Sequence, residues 1–190
     1  MARTRTFIGV AVNDSIRSAT KGMQRTLALS GAEVKWVETA NLHVTLLYLG
    51  ELDDIDLVNA CRITAKVAAK EPAFSLRVGG VGAFPSPRRP KILWGGITEG
   101  AETLLRLHLA IAEPLMELGA YRQEERGYTP HLTLGRTNGE ADGTLLAGEL
   151  VKHLSWTAGQ TIVEEVIVYS SELRRDGLEY TVLGRSPLLA

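Results

Sequence analysis

Short apolar runs alternate with longer amphipathic stretches along this chain, and their periods separate strands from helices. Thr6 to Val12 is a compact β-rich run and predicts a strand. Asp14 can cap a helix running to about Leu29, with Gly31 as its stop signal. Val34 to Val37 and Leu42 to Leu49 read as extended, the second ending at Gly50. From Asp53 or Asp54 a helix carries Ile55, Val58, Cys61, Ile63, Ala65, Val67 and Ala68 at roughly helical spacing to Lys70. Phe74, Leu76 and Val78 alternate with polar partners as a strand, and Lys91 to Ile97 reads as its hairpin mate. Residues 79–90 between them, punctuated by Gly and Pro, read as a loop.

The second half repeats this grammar. Glu102 to Leu118 predicts a helix, broken or bent near Pro114 and ended by Gly119. Tyr128 to Arg136 predicts a strand starting around Pro130, a residue tolerated at a strand's first position but not in its middle. Ala141 to Leu154 reads as helical and Thr161 to Ser170 as one strong strand. Leu178 to Leu183 reads as a last strand after an Asp176-Gly177 turn. Strands separated by helices, with hairpins among them, point to α+β layers.

Composition narrows the class. At 190 residues, 45% hydrophobic, the chain can bury roughly 70% of its unfolded surface and needs no metal or disulfide to hold a core. Cys61 is the single cysteine, so no intramolecular disulfide exists and a reducing cytoplasm is the economical location. Phe7 to Val12 is too short for a signal-peptide core, and nothing approaches a membrane span, so no membrane partner is expected. With 21 basic and 22 acidic side chains the net charge is −1, which excludes a general nucleic-acid coat protein. Any anionic ligand must be met by a local cluster of groups. Nothing in the sequence asks for more than a monomer.

The candidate chemistry lies in a repeated phrase. His43-Val44-Thr45-Leu46 and His131-Leu132-Thr133-Leu134 both spell His-x-Thr-Leu, each in a predicted strand of its own half. Alternation in a strand sends His43 and Thr45 to one face and Val44 and Leu46 to the other, and likewise for the second copy. If the halves fold alike and face each other, two imidazoles and two hydroxyls converge. That set suits transfer at phosphorus: one imidazole as base, one as acid, and hydroxyl donors for the nonbridging oxygens. Arg136 adds a planar charged fork, but its five-residue offset from His131 puts it on the wrong face under strict alternation. A bulge or strand end at Gly135 resolves this.

A single strand histidine is more often structural than catalytic, and the doubling is what reverses that reading. Neither copy carries a second metal ligand at suitable spacing, so no metal or other cofactor is expected. His108 and His153 read as helix-surface or packing residues, and Cys61 as core.

With those motifs in place, the chain resembles the RNA 2′,3′-cyclic phosphodiesterases, historically called 2′-5′ RNA ligases, of the two-histidine phosphoesterase superfamily. The resemblance runs through Arg5-Thr6-Phe7-Ile8-Gly9-Val10, Val34-Lys35-Trp36-Val37, Asn41 to Glu51, Gly82-Ala83-Phe84, Pro90 to Trp94, Tyr128 to Arg136, and Val168 to Leu173. It implies a single two-lobed unit over 1–190, one motif per lobe. Two antiparallel sheets related by a pseudo-twofold axis would face a central cleft, with helices outside. It also implies metal-independent hydrolysis of 2′,3′-cyclic phosphate ends of RNA or nucleotides to a 2′-phosphate. Carried over, His43 is the acid and His131 the base, Thr45 and Thr133 hold the phosphate, and Arg136 assists. The residues alone leave open which histidine plays which role.

DNA ends, lacking the 2′ oxygen, are excluded as substrates. Tyr48 is a candidate for stacking on the terminal base, with a core position as the plain alternative. Arg88, Arg89 and Lys91 form a tight basic cluster that either holds upstream RNA backbone or keeps a loop soluble. Rival readings are a 2′-5′ phosphodiester hydrolase or ligase, a phosphodiesterase for small cyclic phosphates, and a noncatalytic RNA-binding module on the same scaffold.

Overall fold

The computed structural model describes residues 3–122, 127–175 and 177–190. In chain order the elements are β1 (Thr4–Ala11), α1 (Asp14–Ala28), β2 (Val34–Trp36), β3 (His43–Leu52), α2 (Asp54–Ala68), β4 (Phe74–Ser86) and β5 (Arg89–Glu99). They continue with α3 (Ala101–Glu117), β6 (His131–Thr137), α4 (Glu140–Lys152), β7 (Thr157–Val163), β8 (Glu165–Arg174) and β9 (Gly177–Pro187). A short 3-10 turn, Thr39–Asn41, precedes β3.

The described strands pair in the order β7-β4-β5-β6-β3-β1-β8-β9, antiparallel throughout, with β2 added beside β6. The two sides of this array meet at a single residue pair, Val44 opposite Leu132. The array is therefore one curled antiparallel sheet whose two halves join at that pair, in keeping with the α+β bilobal arrangement expected from the resemblance. Helices α1 and α4 pack on the side built from β4 to β7, while α2 and α3 pack on the side built from β1, β3, β8 and β9. Val44 and Leu132 are fully buried in a core that includes Leu104, Leu107 and Ile111 of α3. A second cluster joins Met23 and Leu27 of α1 to Leu93, Leu134, Leu146 and Leu150. Each such leucine contributes about 1.5–3 kcal/mol by leaving water, which holds the helices on one face of the sheet and leaves its other face open.

Several elements differ from expectation for local reasons. The α1 cap is Asn13 rather than Asp14, its side chain accepting from Ile16 N at 3.0 Å. Asp53 plays the same role for α2. Strand β3 runs past Gly50, whose φ of +72° is tolerated without a Cβ. Residues 79–90 are not a loop: β4 and β5 form one long hairpin that turns only around Pro87 and Arg88, with register shifts absorbing Gly80 and Lys91. The expected single strand Thr161 to Ser170 is two, because the chain turns at Glu164 and β7 pairs with β4 while β8 pairs with β1. Pro114 lies in the last turn of α3, which continues through it. Of the expected Asp176-Gly177 turn, Asp176 lies outside the described residues, and Gly177 begins β9. No described helix is long and apolar enough to cross a membrane.

Candidate active site

The meeting point of the sheet's two halves is also the meeting point of the motifs. Val44 and Leu132 are the middle residues of the two His-x-Thr phrases, and they are cross-strand partners. Antiparallel pairing centred there sets His43 opposite Thr133 and Thr45 opposite His131, all on the face away from the core. Two imidazoles and two hydroxyls are thus gathered by a single pair of buried aliphatic residues.

The imidazoles are held alike. His43 Nδ1 lies 2.7 Å from Asn41 O, and His131 Nδ1 lies 2.7 Å from Thr129 O. A carbonyl only accepts, so Nδ1 carries a proton in both rings and Nε2 is left as the nitrogen that gains or loses one. At His43 that Nε2 accepts from the Thr45 hydroxyl at 2.9 Å. The Asn41 carbonyl is itself fixed from below: Arg17 donates to Val12 O (3.0 Å), Thr39 O (2.6 Å) and Ala40 O (2.8 Å), clamping the turn that leads into β3.

Surroundings differ between the two rings. His43 stacks on Phe7 at 4.7 Å and meets Tyr180 edge-on at 5.4 Å. His131 meets Phe84 edge-on at 5.1 Å, with Trp94 at 6.5 Å. Burial lowers the pKa of His43 most; its Asn41 hydrogen bond opposes this, and the charges of Arg17 and His131 add to it. His131 is lowered chiefly by burial and also by Arg136. A cavity of about 650 Å³ opens beside His43, between Arg17, Asn41, Tyr169 and Tyr180.

Arg136 does reach this face, through a bulge. Leu93 pairs with Gly135 and Trp94 with Thr133, so Leu134 is the extra residue that restores Arg136 to the side of His131 and Thr133. Gly135 is required next to it, since a Cβ there would lie 2.7 Å from Val34 and 2.8 Å from Trp36. Motif one has the same device: Ile8 pairs with Leu47 and Gly9 with Thr45, leaving Leu46 as the extra residue and returning Tyr48 to the open face. Tyr48 is 42% exposed and not core. Its hydroxyl accepts from Arg5 Nε, and that guanidinium lies 5.3 Å from the ring centre.

At each bulge a buried polar side chain meets the extra residue's carbonyl, and Leu134 O also accepts from Val37 N at 2.9 Å. Leu46 O accepts from His108 Nδ1 at 2.8 Å, and Leu134 O accepts from Gln24 Nε2 at 2.9 Å. His108 also stacks on Tyr128 at 4.2 Å, and the Tyr128 hydroxyl donates to Thr45 O at 2.9 Å. Sequence reasoning takes His108 for a helix-surface or packing residue and passes over Gln24. The available signal is a polar residue on the apolar face of each helix, between Leu104 and Ile111 in one and between Met23 and Leu27 in the other. His108→Phe is expected to cost about 1–3 kcal/mol, because the Leu46 carbonyl loses its His108 hydrogen bond in the core. Urea unfolding measures this, and a cost below about 0.5 kcal/mol would show another donor replacing it.

Among the described residues no group of three or more His, Cys, Asp or Glu side chains comes together. The open face offers imidazoles, hydroxyls, tyrosines and guanidinium groups. His153 ends α4, and Cys61 is half-buried on α2 with its thiol pKa pushed up by burial. Arg88 and Arg89 lie at the β4–β5 turn and Lys91 just inside β5.

This chain is similar to known proteins over almost all its length. The LigT like phosphoesterase family matches residues 10–94. An RNA 2′,3′-cyclic phosphodiesterase of Methanothermobacter thermautotrophicus is 32% identical over 180 residues, 94% of this chain and 96% of that protein. One from Archaeoglobus fulgidus is 40% identical over 133 residues, 70% of this chain and 72% of that one. The crystal structure of TT0787 of Thermus thermophilus superposes with a TM-score of 0.81 at 28% identity, covering 97% of both chains. Near-complete coverage at this identity, on a shared fold, shows that the chain belongs to the RNA 2′,3′-cyclic phosphodiesterase family of LigT-like phosphoesterases.

Proposed function

We propose that this chain hydrolyses 2′,3′-cyclic phosphate ends of RNA to 2′-phosphates, using His43 as general acid and His131 as general base. The observation that carries this is the pairing of Val44 with Leu132, which puts two equally anchored imidazoles on one open face. Family membership supports the substrate class.

Water attacks phosphorus, and its proton passes to His131 Nε2. The P–O3′ bond breaks as His43 Nε2 delivers a proton to O3′, leaving a 3′-hydroxyl and a 2′-phosphate. The direction is supported by access. His43 is enclosed by Phe7, Tyr169 and Tyr180 and suits a proton passed inside the complex, whereas the His131–Thr129 side is exposed and suits a base that meets water. Thr45 and Thr133 donate to the nonbridging oxygens and Arg136 adds positive charge beside them. Tyr48, its ring backed by Arg5, offers a surface for the terminal base.

The test is end chemistry. An RNA oligomer ending in a 2′,3′-cyclic phosphate, incubated with the protein in chelator, is expected to yield only the 2′-phosphate. A 3′-phosphate product would reverse the geometry of attack, and no turnover would sink the enzymatic reading.

A further inference from the structure

One row of cations on the open face is left uncompensated. In the β2–β6 pairing Lys35 stands directly opposite Arg136. Its neighbours Val34 and Trp36 turn into the core, so Lys35 shares the face of Arg136, and hence that of His131 and Thr133. Like charges directly opposite one another in an antiparallel pair are destabilising. The described ion pairs engage Arg17, Arg77, Arg106, Lys152, Arg174 and Arg185, and none of them includes Lys35 or Arg136. Of the carboxylates nearby along the chain, Glu33 accepts from Asn138 Nδ2 at 3.2 Å and Asp142 from Glu33 N at 2.8 Å, and none of Glu33, Glu38, Glu140 and Asp142 forms an ion pair with either cation among the described residues. A chain of net charge −1 that keeps two cations face to face beside its histidines leaves a place for an anion between them.

In the activity proposed above the reacting phosphate sits at Thr45 and Thr133 instead. Arg136 lies roughly 7–10 Å along the strand from Thr133, so its fork can reach the reacting phosphate from one side while Lys35 stands on the other. We propose that Lys35 and Arg136 form a subsite for the internucleotide phosphate just upstream of the cyclic end. The enzyme then selects oligonucleotide ends over free cyclic mononucleotides. This rests on the activity proposed above and adds a specificity to it. Beyond Arg136 the same path leads to β5, where Arg136 pairs with Ile92, and on to Lys91, Arg89 and Arg88 at the hairpin tip.

Two substrates test this: a dinucleotide ending in a 2′,3′-cyclic phosphate, and a 2′,3′-cyclic mononucleotide with a free 5′-hydroxyl. The wild type is expected to favour the dinucleotide in kcat/KM, by an advantage that shrinks as salt rises. Lys35 is exposed, so Lys35→Ala leaves the core untouched. It should lower kcat/KM on the dinucleotide roughly three- to tenfold, through KM and not kcat, and reduce the salt slope by about 0.7. Lys35→Arg should restore the preference. Equal losses on both substrates, or a wild type without preference, overturn the subsite while the activity stands. Turnover of neither substrate overturns the activity and the subsite together.

Discussion

Replacing His131 by alanine is expected to lower turnover of a cyclic-phosphate end by roughly 10²–10⁴-fold with the protein still folded. The ring meets Phe84 edge-on and Trp94 at 6.5 Å, and its Nδ1 bond to the Thr129 carbonyl is exposed, so little of the core depends on it. What is lost is the base: without Nε2, water must shed its proton to solvent. His43→Ala should cost turnover to a similar degree, and stability too, because His43 is stacked on Phe7 and enclosed by two tyrosines. The double variant should fall little below the worse single one, since acid and base serve one transition state. Thr45→Ala and Thr133→Ala remove only a hydroxyl donor each and should cost less. Single-turnover rates with thermal unfolding as the control decide the matter. A His131→Ala enzyme within tenfold of wild type would remove that residue from the proposed chemistry.

How much of this is legible in the sequence varies with the kind of interaction. The doubled His-x-Thr phrase is readable because its polar and apolar residues alternate with the period of a strand. That two such strands cross at Val44 and Leu132 is not, because pairing between residues far apart in sequence leaves no local trace. The bulges at Leu46 and Leu134 are half legible. The odd offset of Arg136 from His131 and the glycine beside it demand an irregularity, whereas Tyr48, at the same five-residue offset from His43, has no glycine next to it to mark one. The hairpin through residues 79–90 reads wrongly as a loop because Gly and Pro punctuate turns on average, whereas here a neighbouring strand fixes the backbone and register shifts take up the misfits. The corner at Glu164 is invisible for the opposite reason, being flanked by β-rich residues on both sides. His108 and Gln24 show what local reading misses most: polar groups whose partners are carbonyls at irregularities elsewhere in the fold.

The pH dependence should separate the two histidines. In the free enzyme both pKa values lie below the ordinary 6.5, lowered first by burial. The acid must be protonated, so its active fraction shrinks as pH rises above its lowered pKa. As pH falls towards the lowered pKa of the acid, kcat/KM is expected to climb by up to about tenfold per unit, then turn over where the base becomes protonated. A bound phosphate, being anionic, favours the imidazolium, so the alkaline limb of kcat should lie at higher pH than that of kcat/KM. A profile that is flat between pH 5 and 9, or rises with pH, would contradict the pair. Arg136 supplies the sharper test, because its charge helps to lower His131 and is not among the causes acting on His43. Arg136→Met should raise the pKa of His131. The limb that moves to higher pH then belongs to His131, and a profile in which neither limb moves would show that His131 is not one of the titrating pair.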